Sequence, residues 1–487
     1  MDDRDVAHEE QTGGGGLLVL AVAAVAYSLA QTAVVPGLSQ LTKALHTSSE
    51  NVSWVLTGYL VSAAILTPVG GRLGDMFGKR RVLAIALAAF TVGSVVAALS
   101  GSIWVLVAAR VVQGAGGAVF PLCFGIISDA FPAERRPGAL GLISAIAGIG
   151  AGGGLLMGGL LLDHASWRWI FWAGAIMAGL AALGTLRLPQ STTHTPGRVD
   201  LVGALLLAVG LTAPLIALTR TTKWGWGDAR TLGLIVGGLL VLALFAWFET
   251  RIAEPLVNVR LLARPVVLGT NVATALIGFG MFGAFVLIPQ IAETPVASGY
   301  GFGMNATGAG LLLLPACLVM LVTGGVSGQI GMRLGPRFPL VVGLLIAVAG
   351  LAVLAGAHHN RWLVLALCAV VFGGIGLGMA AVPNLIVGAV PPEATGEATG
   401  VNALVRSVGS SIGSQVAATV LAGSVTAASA LPTDSALTEA FWLGAAGSAC
   451  AAVAALLIPR DRRGADAGAE LLDAAAPVSD PDGVRAS

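Results

Sequence analysis

The sequence offers few side chains able to hold a charge away from the ends of its apolar runs, and Arg110 stands out among them. It lies in Ala109-Arg110-Val111-Val112-Gln113-Gly114, with apolar neighbours on both sides. A guanidinium stays charged and is costly in hydrocarbon, so Arg110 must face protein or a water-filled cavity. Helix-end carbonyls would satisfy it equally well. In the second half of the chain Asn271, Gln290, Asn384, Asn402 and Arg406 are the polar groups set in long apolar stretches. Each suits either a polar path through the molecule or a hydrogen bond gluing two helices. The acids Asp75, Asp129, Asp163 and Glu293 fall near the ends of apolar runs, and His164 beside Asp163 reads as an exposed pair.

Several chemistries are excluded by what those positions hold. No G-x-x-x-x-G-K-[ST] phosphate loop occurs, which leaves no nucleotide-driven step. Lys43, Lys79 and Lys223 all fall outside the apolar runs, and the histidines lie in tails or between runs. No Schiff-base lysine and no facing His or acid pair is therefore available within the runs, and an enzyme is not expected. Cys123, Cys317, Cys368 and Cys450 are far apart inside apolar runs, where they read as small core hydrophobes with no metal and no cofactor to hold.

The elements that must position these residues follow from composition. Of 487 residues 56% are hydrophobic and 10% charged, with a mean hydropathy of +0.88. That balance predicts an all-α polytopic membrane protein, each span needing about 20 apolar residues. Fourteen spans are expected at 16–38, 52–72, 82–100, 103–128, 138–162, 168–187, 200–219, 231–250, 266–291, 306–327, 338–357, 361–388, 398–422 and 438–459. Eighteen of the 26 Lys and Arg then fall on the ends that share a side with both termini, which places the termini in the cytoplasm of a cell in whose inner or plasma membrane the chain sits. The start Met1-Asp2-Asp3-Arg4-Asp5 is acidic and leads to a Gly13–Gly16 linker, so the first span is expected to be an uncleaved anchor. A net charge of +1 gives no case for nucleic acid as partner.

Between spans two and three lies Gly71-Arg72-Leu73-Gly74-Asp75-Met76-Phe77-Gly78-Lys79-Arg80-Arg81. Its glycines allow close backbone approach and a turn, and Asp75 can cap or pair at a helix end. The chain then repeats itself. Gly328-Gln329-Ile330-Gly331-Met332-Arg333-Leu334-Gly335-Pro336-Arg337 reproduces the glycine and arginine spacing, and Phe131-Pro132-Ala133-Glu134 has its counterpart in Val390-Pro391-Pro392-Glu393 at an offset of about 259 residues. Spans 1–6 thus pair with spans 9–14, leaving spans 7 and 8 over.

The Gly71–Arg81 pattern resembles the loop signature of the major facilitator superfamily, and the six-two-six arrangement is similar to its 14-span drug:proton antiporter branch. Residues 109–118 resemble the R-x-x-Q-G-x-G-x-A motif of span four, which implies that Arg110 sits by the cavity and tunes a proton-carrying group, with Gln113 one turn away. In span five Gly150, Gly154, Gly158 and Gly159 match the antiporter glycines, but Leu155 stands where the signature has proline. These glycines also make a smooth face for helix packing. Ser166-Trp167-Arg168-Trp169 resembles the segment that opens span six. The branch commonly carries an acid in an L-D-x-T of span one; here Leu29-Ala30-Gln31-Thr32 places a non-titrating Gln31.

The resemblance implies a major facilitator fold: a tail 1–15, a six-helix bundle 16–187, a linker with two inserted helices 188–265, a second bundle 266–459 and a disordered tail 460–487. Gly71, Arg72, Gly74, Asp75, Gly78, Lys79 and Arg80 would form a conformational gate, and Gln31, Arg110, Gln113, Asn271, Gln290, Asn384, Asn402 and Arg406 would serve the cavity or proton coupling. Trp54, Tyr59, Phe279, Phe282 and Phe285 are candidate apolar lining. The function implied is export of small apolar or amphipathic compounds by proton antiport, two halves rocking about a central cavity, as a monomer in the bilayer. Import of a nutrient by proton symport is the alternative within the class, and a membrane enzyme or receptor the alternative outside it.

Overall fold

The computed structural model describes residues 3–189, 200–252, 255–424 and 431–459. Among them are fourteen long helices: α1 (Asp3–Thr32), α2 (Ser49–Phe77), α3 (Lys79–Leu99), α4 (Ile103–Ala130), α5 (Arg136–His164), α6 (Arg168–Gly184), α7 (Leu201–Trp224), α8 (Ala229–Glu249), α9 (Pro265–Glu293), α10 (Ala306–Leu334), α11 (Arg337–Ala357), α12 (Arg361–Ala389), α13 (Thr395–Gly423) and α14 (Asp434–Leu457). They answer one for one to the expected spans. Among the described residues ten are long and apolar enough to cross a membrane by length and composition alone, and the described side chains of α7 and α9 include the apolar runs Val202–Leu218 and Pro265–Met281. α5 is rich in glycine, and α13 in glycine, serine and threonine. Both lie between the two halves of the molecule, so they present less side chain to lipid than a peripheral helix does.

Local chemistry sets the ends. Ser48, Asp200, Asp228, Asn305, Asn360 and Thr433 each accept from a backbone N–H in the first turn of the helix they precede, satisfying donors that a helix start leaves orphaned. Gly78 at φ 96° and Gly335 at φ 82° occupy the matching turns of the two halves, a backbone conformation that only glycine adopts without strain. The first span differs from expectation at both ends. α1 begins at Asp3 and takes the Gly13–Gly16 run into the helix, and it stops at Thr32, ahead of a 3-10 turn Val35–Gly37 holding Pro36. Proline disfavours helix at the residue before it. The tail 460–487, and all of the 189–198 linker but Pro189, lie outside the described residues.

Two apolar cores form, one from residues of α9 to α14 with the turns beside them, the other from α1 to α6. A smaller cluster joins Ala64 of α2, Leu211 of α7, Phe245 of α8 and Leu404 of α13. The inserted pair therefore leans on the seam where α2 meets α13. Only 17% of the apolar window of α8 is buried, which makes it the most lipid-exposed of the ten. Large side chains such as Leu99, Leu183, Trp247 and Leu457 stay on the outer surface, as a hydrocarbon solvent requires.

The halves meet along two seams, α2 with α13 and α5 with α10 and α12, and the same glycine contacts recur in both. A Cβ on Gly71 would lie 2.3 Å from the Gly396 carbonyl oxygen, and one on Gly328 would lie 2.5 Å from the Pro137 carbonyl. A Cβ on Gly400 would lie 3.0 Å from the Thr67 carbonyl oxygen, and one on Gly141 2.7 Å from that of Gly324. These pairs are exchanged by the sequence repeat, so the internal duplication is also a packing symmetry. It breaks at one position: Asp75 of α2 is buried, and its counterpart Met332 of α10 is exposed.

Candidate functional site

Arg110 is fully buried in the first half. Its Nε donates to the Val55 carbonyl at 3.1 Å, and its Nη1 donates to the Ala30 carbonyl at 3.2 Å and to Gln113 Oε1 at 2.8 Å. Ala30 lies in the last turn of α1, where carbonyls lack helical partners. Nη2 has no hydrogen-bond partner among the described residues. The guanidinium lies 3.9 Å from the centre of the Tyr59 ring, a cation–π contact strengthened by exclusion of water. Gln113 passes the network on, its Nε2 donating to Ser94 Oγ at 2.7 Å, which donates to the Phe90 carbonyl at 2.8 Å. Arg110 thus ties α1, α2 and α4 together, and Gln113 adds α3.

From Arg110 an aromatic ladder runs toward the seam. Tyr59 stands 6.1 Å from Tyr27, Tyr27 5.8 Å edge-on from Phe120, and Phe120 6.1 Å from Phe124. At its far end Arg406 of α13 sits over the Phe120 face at 6.0 Å. There the halves enclose a cavity of about 20 Å³ lined by Phe120, Phe124, Ser144, Met379, Pro383, Asn402 and Arg406 among others. That space holds about one water. The Ser144 hydroxyl donates to the Met379 carbonyl at 2.8 Å, and the Asn402 amide donates to Asn271 Oδ1 at 2.8 Å and Thr274 Oγ1 at 3.0 Å. A wider groove of about 640 Å³, lined by Gly303, Leu311, Leu312, Arg361 and Trp362, belongs to the second half alone and does not reach the seam.

The charged turn is a clasp between the halves. Asp75 is 3.5 Å from Lys79 Nζ, which also donates to Asp129 at 2.9 Å, and all three are buried or nearly so. Asp75 Oδ2 accepts from the backbone N–H of Glu397 at 3.0 Å. The carboxylate thereby sits on the first turn of α13, where orphaned donors and the helix dipole favour negative charge. Glu397 in turn accepts from the Asn258 backbone N–H, and Arg72 lies close enough to act on it electrostatically. Gly74 packs on Leu122, Gly78 turns the chain, and Arg80 donates to the Leu186 carbonyl at 2.9 Å.

The other expected residues divide. Gly150, Gly154 and Gly158 bring α5 onto α1: a Cβ at these positions would lie 1.9 Å from Ser28 Cβ, 2.1 Å from Thr32 Oγ1 and 2.1 Å from the Ala33 carbonyl. Gly159 is buried in the same helix. Asn384 donates to the Ala380 carbonyl at 3.1 Å and reaches the Pro137 carbonyl of the other half at 3.4 Å. Gln31 is half-buried. Gln290 is not brought to the cavity; it is exposed near the end of α9, because one helix cannot turn both Asn271 and a residue nineteen positions on toward the same neighbour.

Phe279, named as apolar lining, is wedged instead against Gly413 and Gly447 of α13 and α14, and the side chains of Phe282 and Phe285 lie outside the described residues. Cys450 is exposed, not in the core. His358 is buried beside α11, its ring 2.8 Å from Asp434 and 3.0 Å from the Leu354 carbonyl. Sequence reasoning missed Tyr27, Phe120, Phe124 and Glu397; the Phe120/Phe124 spacing of one helical turn beyond the Gly114–Ala118 run was the available signal for two of them.

Paired six-helix bodies with an inserted pair, seams at α2/α13 and α5/α10, and between them a mainly apolar cavity with one cation define a polytopic membrane transporter. The description Major Facilitator Superfamily matches residues 20–414, and the chain belongs to that family. It is 31% identical over 405 residues to a tetracenomycin C resistance and export protein of Streptomyces glaucescens, covering 80% of this chain and 73% of that protein. It is 32% identical over 383 residues to a puromycin resistance protein of Streptomyces alboniger, covering 76% and 74%. Against a longer MFS-type transporter of Mycobacterium tuberculosis, 33% identical, the chain spans about half, 51%, of the relative's length. Among solved structures the human organic anion transporter MFSD10 superposes with a TM-score of 0.62 at 15% identity, over 93% of this chain and 99% of that one, a likeness of fold. The family is one of transporters, which sets the chain in a membrane with a small-molecule substrate.

Proposed function

We propose that the protein exports small, largely apolar or amphipathic compounds across the cell membrane, driven by protons moving the opposite way. The observation that carries this reading is the cavity at the seam, lined mainly by apolar side chains with one cation, in a chain whose relatives are named for resistance and export. The two bundles, 16–187 and 266–459, rock about that cavity, with 188–265 riding on the α2/α13 seam. The Lys- and Arg-rich ends face the cytoplasm with both termini, and the monomer is the working unit. Arg110 and Gln113 hold the first bundle in register; Asn271, Asn402 and Arg406 serve the path from the second. Among the described residues every Asp and Glu of α2 to α14 lies within two turns of a helix end, so protons enter through end groups such as Asp75, not through Gln31.

The test is transport by the purified chain in liposomes with an imposed pH gradient. Uptake of a drug panel into inverted vesicles, acid inside, that stops when the gradient is collapsed supports the proposal. Equal flux with the gradient collapsed removes the proton coupling, and absence of flux for the whole panel removes the exporter.

A further inference from the structure

The cavity between the halves has an imbalance in its hydrogen-bonding groups. Its hydroxyls are spent, Ser144 donating to the Met379 carbonyl and Thr399 to the carbonyls of Thr395 and Gly396, and the Asn402 amide is spent on Asn271 and Thr274. What remains is the Arg406 guanidinium, with five N–H donors and no acceptor on them among the described residues. Its described side-chain neighbours are the Phe120 ring at 6.0 Å, which offers a π-face and no lone pair, and the Tyr27 phenol, close enough to act on it electrostatically but carrying no charge of its own. Among the described residues no counter-charge stands beside it: the other charge reached along the ladder Phe120, Tyr27, Tyr59 is Arg110, also positive, with its own Nη2 buried and unpartnered. Two guanidiniums with no carboxylate beside them among the described residues make a region of positive potential between the halves, where an unpaired charge is costly until an anion joins it. The remaining wall, Phe124, Met379, Val382, Pro383 and Ala403, is apolar and suits a ring system.

Resting on the exporter reading, we infer that the cargo is the anionic form of an aromatic weak acid, its acid group held by Arg406 and its ring packed on Phe120 and Phe124. One available cation calls for one negative charge. A cationic drug would meet repulsion from Arg406 and Arg110, and a neutral one, though able to accept hydrogen bonds, would leave the Arg406 charge uncompensated. The 20 Å³ space is too small for such a molecule, so binding accompanies parting of the halves.

The experiment compares three probes of one shape and different charge, 1-naphthoate, 1-naphthalenemethanol and 1-naphthylmethylammonium, by calorimetry on the full chain in detergent and by flux in liposomes. Naphthoate is expected to bind at least tenfold more tightly than the other two. Arg406→Gln is expected to weaken naphthoate at least tenfold and leave the alcohol within threefold, with Arg406→Lys between. Phe120→Leu should weaken all three probes by a similar factor. Should Arg406→Gln not fold, the unaltered protein still decides: its affinity for naphthoate must fall in step with protonation of the probe. Tighter binding of the alcohol or ammonium, or naphthoate binding untouched by Arg406→Gln or by protonation, overturns the inference. If the alcohol or ammonium is pumped while naphthoate is not, the exporter reading stands and the anion reading falls; if no probe or panel compound moves, both fall.

Discussion

Asp75 of α2 accepts a hydrogen bond at 3.0 Å from the backbone N–H of Glu397, at the opening turn of α13 and 322 residues away in sequence. The same carboxylate is 3.5 Å from Lys79. Replacing it with the uncharged isostere Asn keeps an acceptor but removes the charge from the helix start, an interaction worth up to about 2 kcal/mol in partly buried settings. Asp75→Asn is expected to raise the share of molecules open at the basic face roughly 5- to 30-fold. Reaction of a cysteine at Met379 with a membrane-impermeant thiol reagent applied from that face measures it; an unchanged rate would count against a clasp.

Gly71 tests the same closure by bulk alone. A Cβ there would sit 2.3 Å from the Gly396 carbonyl oxygen, whereas one on Gly101 meets nothing within 4 Å. Gly71→Ala is expected to cut transport about tenfold by holding the seam apart, corresponding to about 1.4 kcal/mol. Gly101→Ala should leave it within twofold. Initial rates in the same liposome assay check the pair.

Arg110→Lys retains the charge and loses the fork. An ammonium cannot reach Val55, Ala30 and Gln113 together in the geometry that Arg110 uses, and each hydrogen bond of a charged group contributes roughly 1.5–3 kcal/mol. A lowered melting temperature of the whole chain is expected, together with loss of transport. Full activity and unchanged melting would show that the three-helix tie is dispensable.

Gly154 carries the contact of α5 with α1, where an added methyl would meet Thr32 Oγ1 at 2.1 Å and the Leu29 carbonyl at 2.6 Å. Overpacking of this kind costs about 1–3 kcal/mol. Gly154→Ala should destabilise the protein by that amount in thermal unfolding while the naphthoate affinity of the folded fraction stays unchanged.

Export of a monoanion in exchange for a proton moves positive charge inward twice per cycle, each charge being worth about 2.3 kcal/mol per 100 mV. An inside-negative potential set with potassium and valinomycin is expected to accelerate naphthoate export at zero pH gradient. Indifference to the potential would exclude this stoichiometry with an anionic cargo.

Much of this arrangement was legible in the chain. Hydropathy marks the spans because lipid demands apolar runs of one length, and the repeat of Gly71–Lys79 in Gly328–Pro336 announced the two halves. Gly150, Gly154 and Gly158 could be read as a packing face since their spacing is that of a helix ridge. The partner of Asp75 could not be read, being a backbone N–H in the opposite half, which no side-chain pattern reveals. Gln290 was misplaced for a related reason: polarity in an apolar run does not say which way the helix faces. Arg406 was visible as a lone charge, but that its neighbours spend their donors elsewhere depends on Ser144, Thr399 and Asn402 meeting across the seam.

The substitution of Met332 where the first half has Asp75 bears on how the molecule parts. The α5/α10/α12 seam closes by shape, through Gly141, Gly324, Gly328 and the Asn384 amide, and shape complementarity resists sliding evenly along its length. The α2/α13 seam adds one charge-assisted hydrogen bond at one extremity, from the Glu397 N–H to Asp75, and a bond of that kind is lost all at once when the carboxylate is neutralised or hydrated. In the transport cycle proposed above, the molecule would open less like a pair of tongs than like a book, with α5 and α10 as its spine and α2 and α13 as the fore-edge that a proton on Asp75 would unfasten.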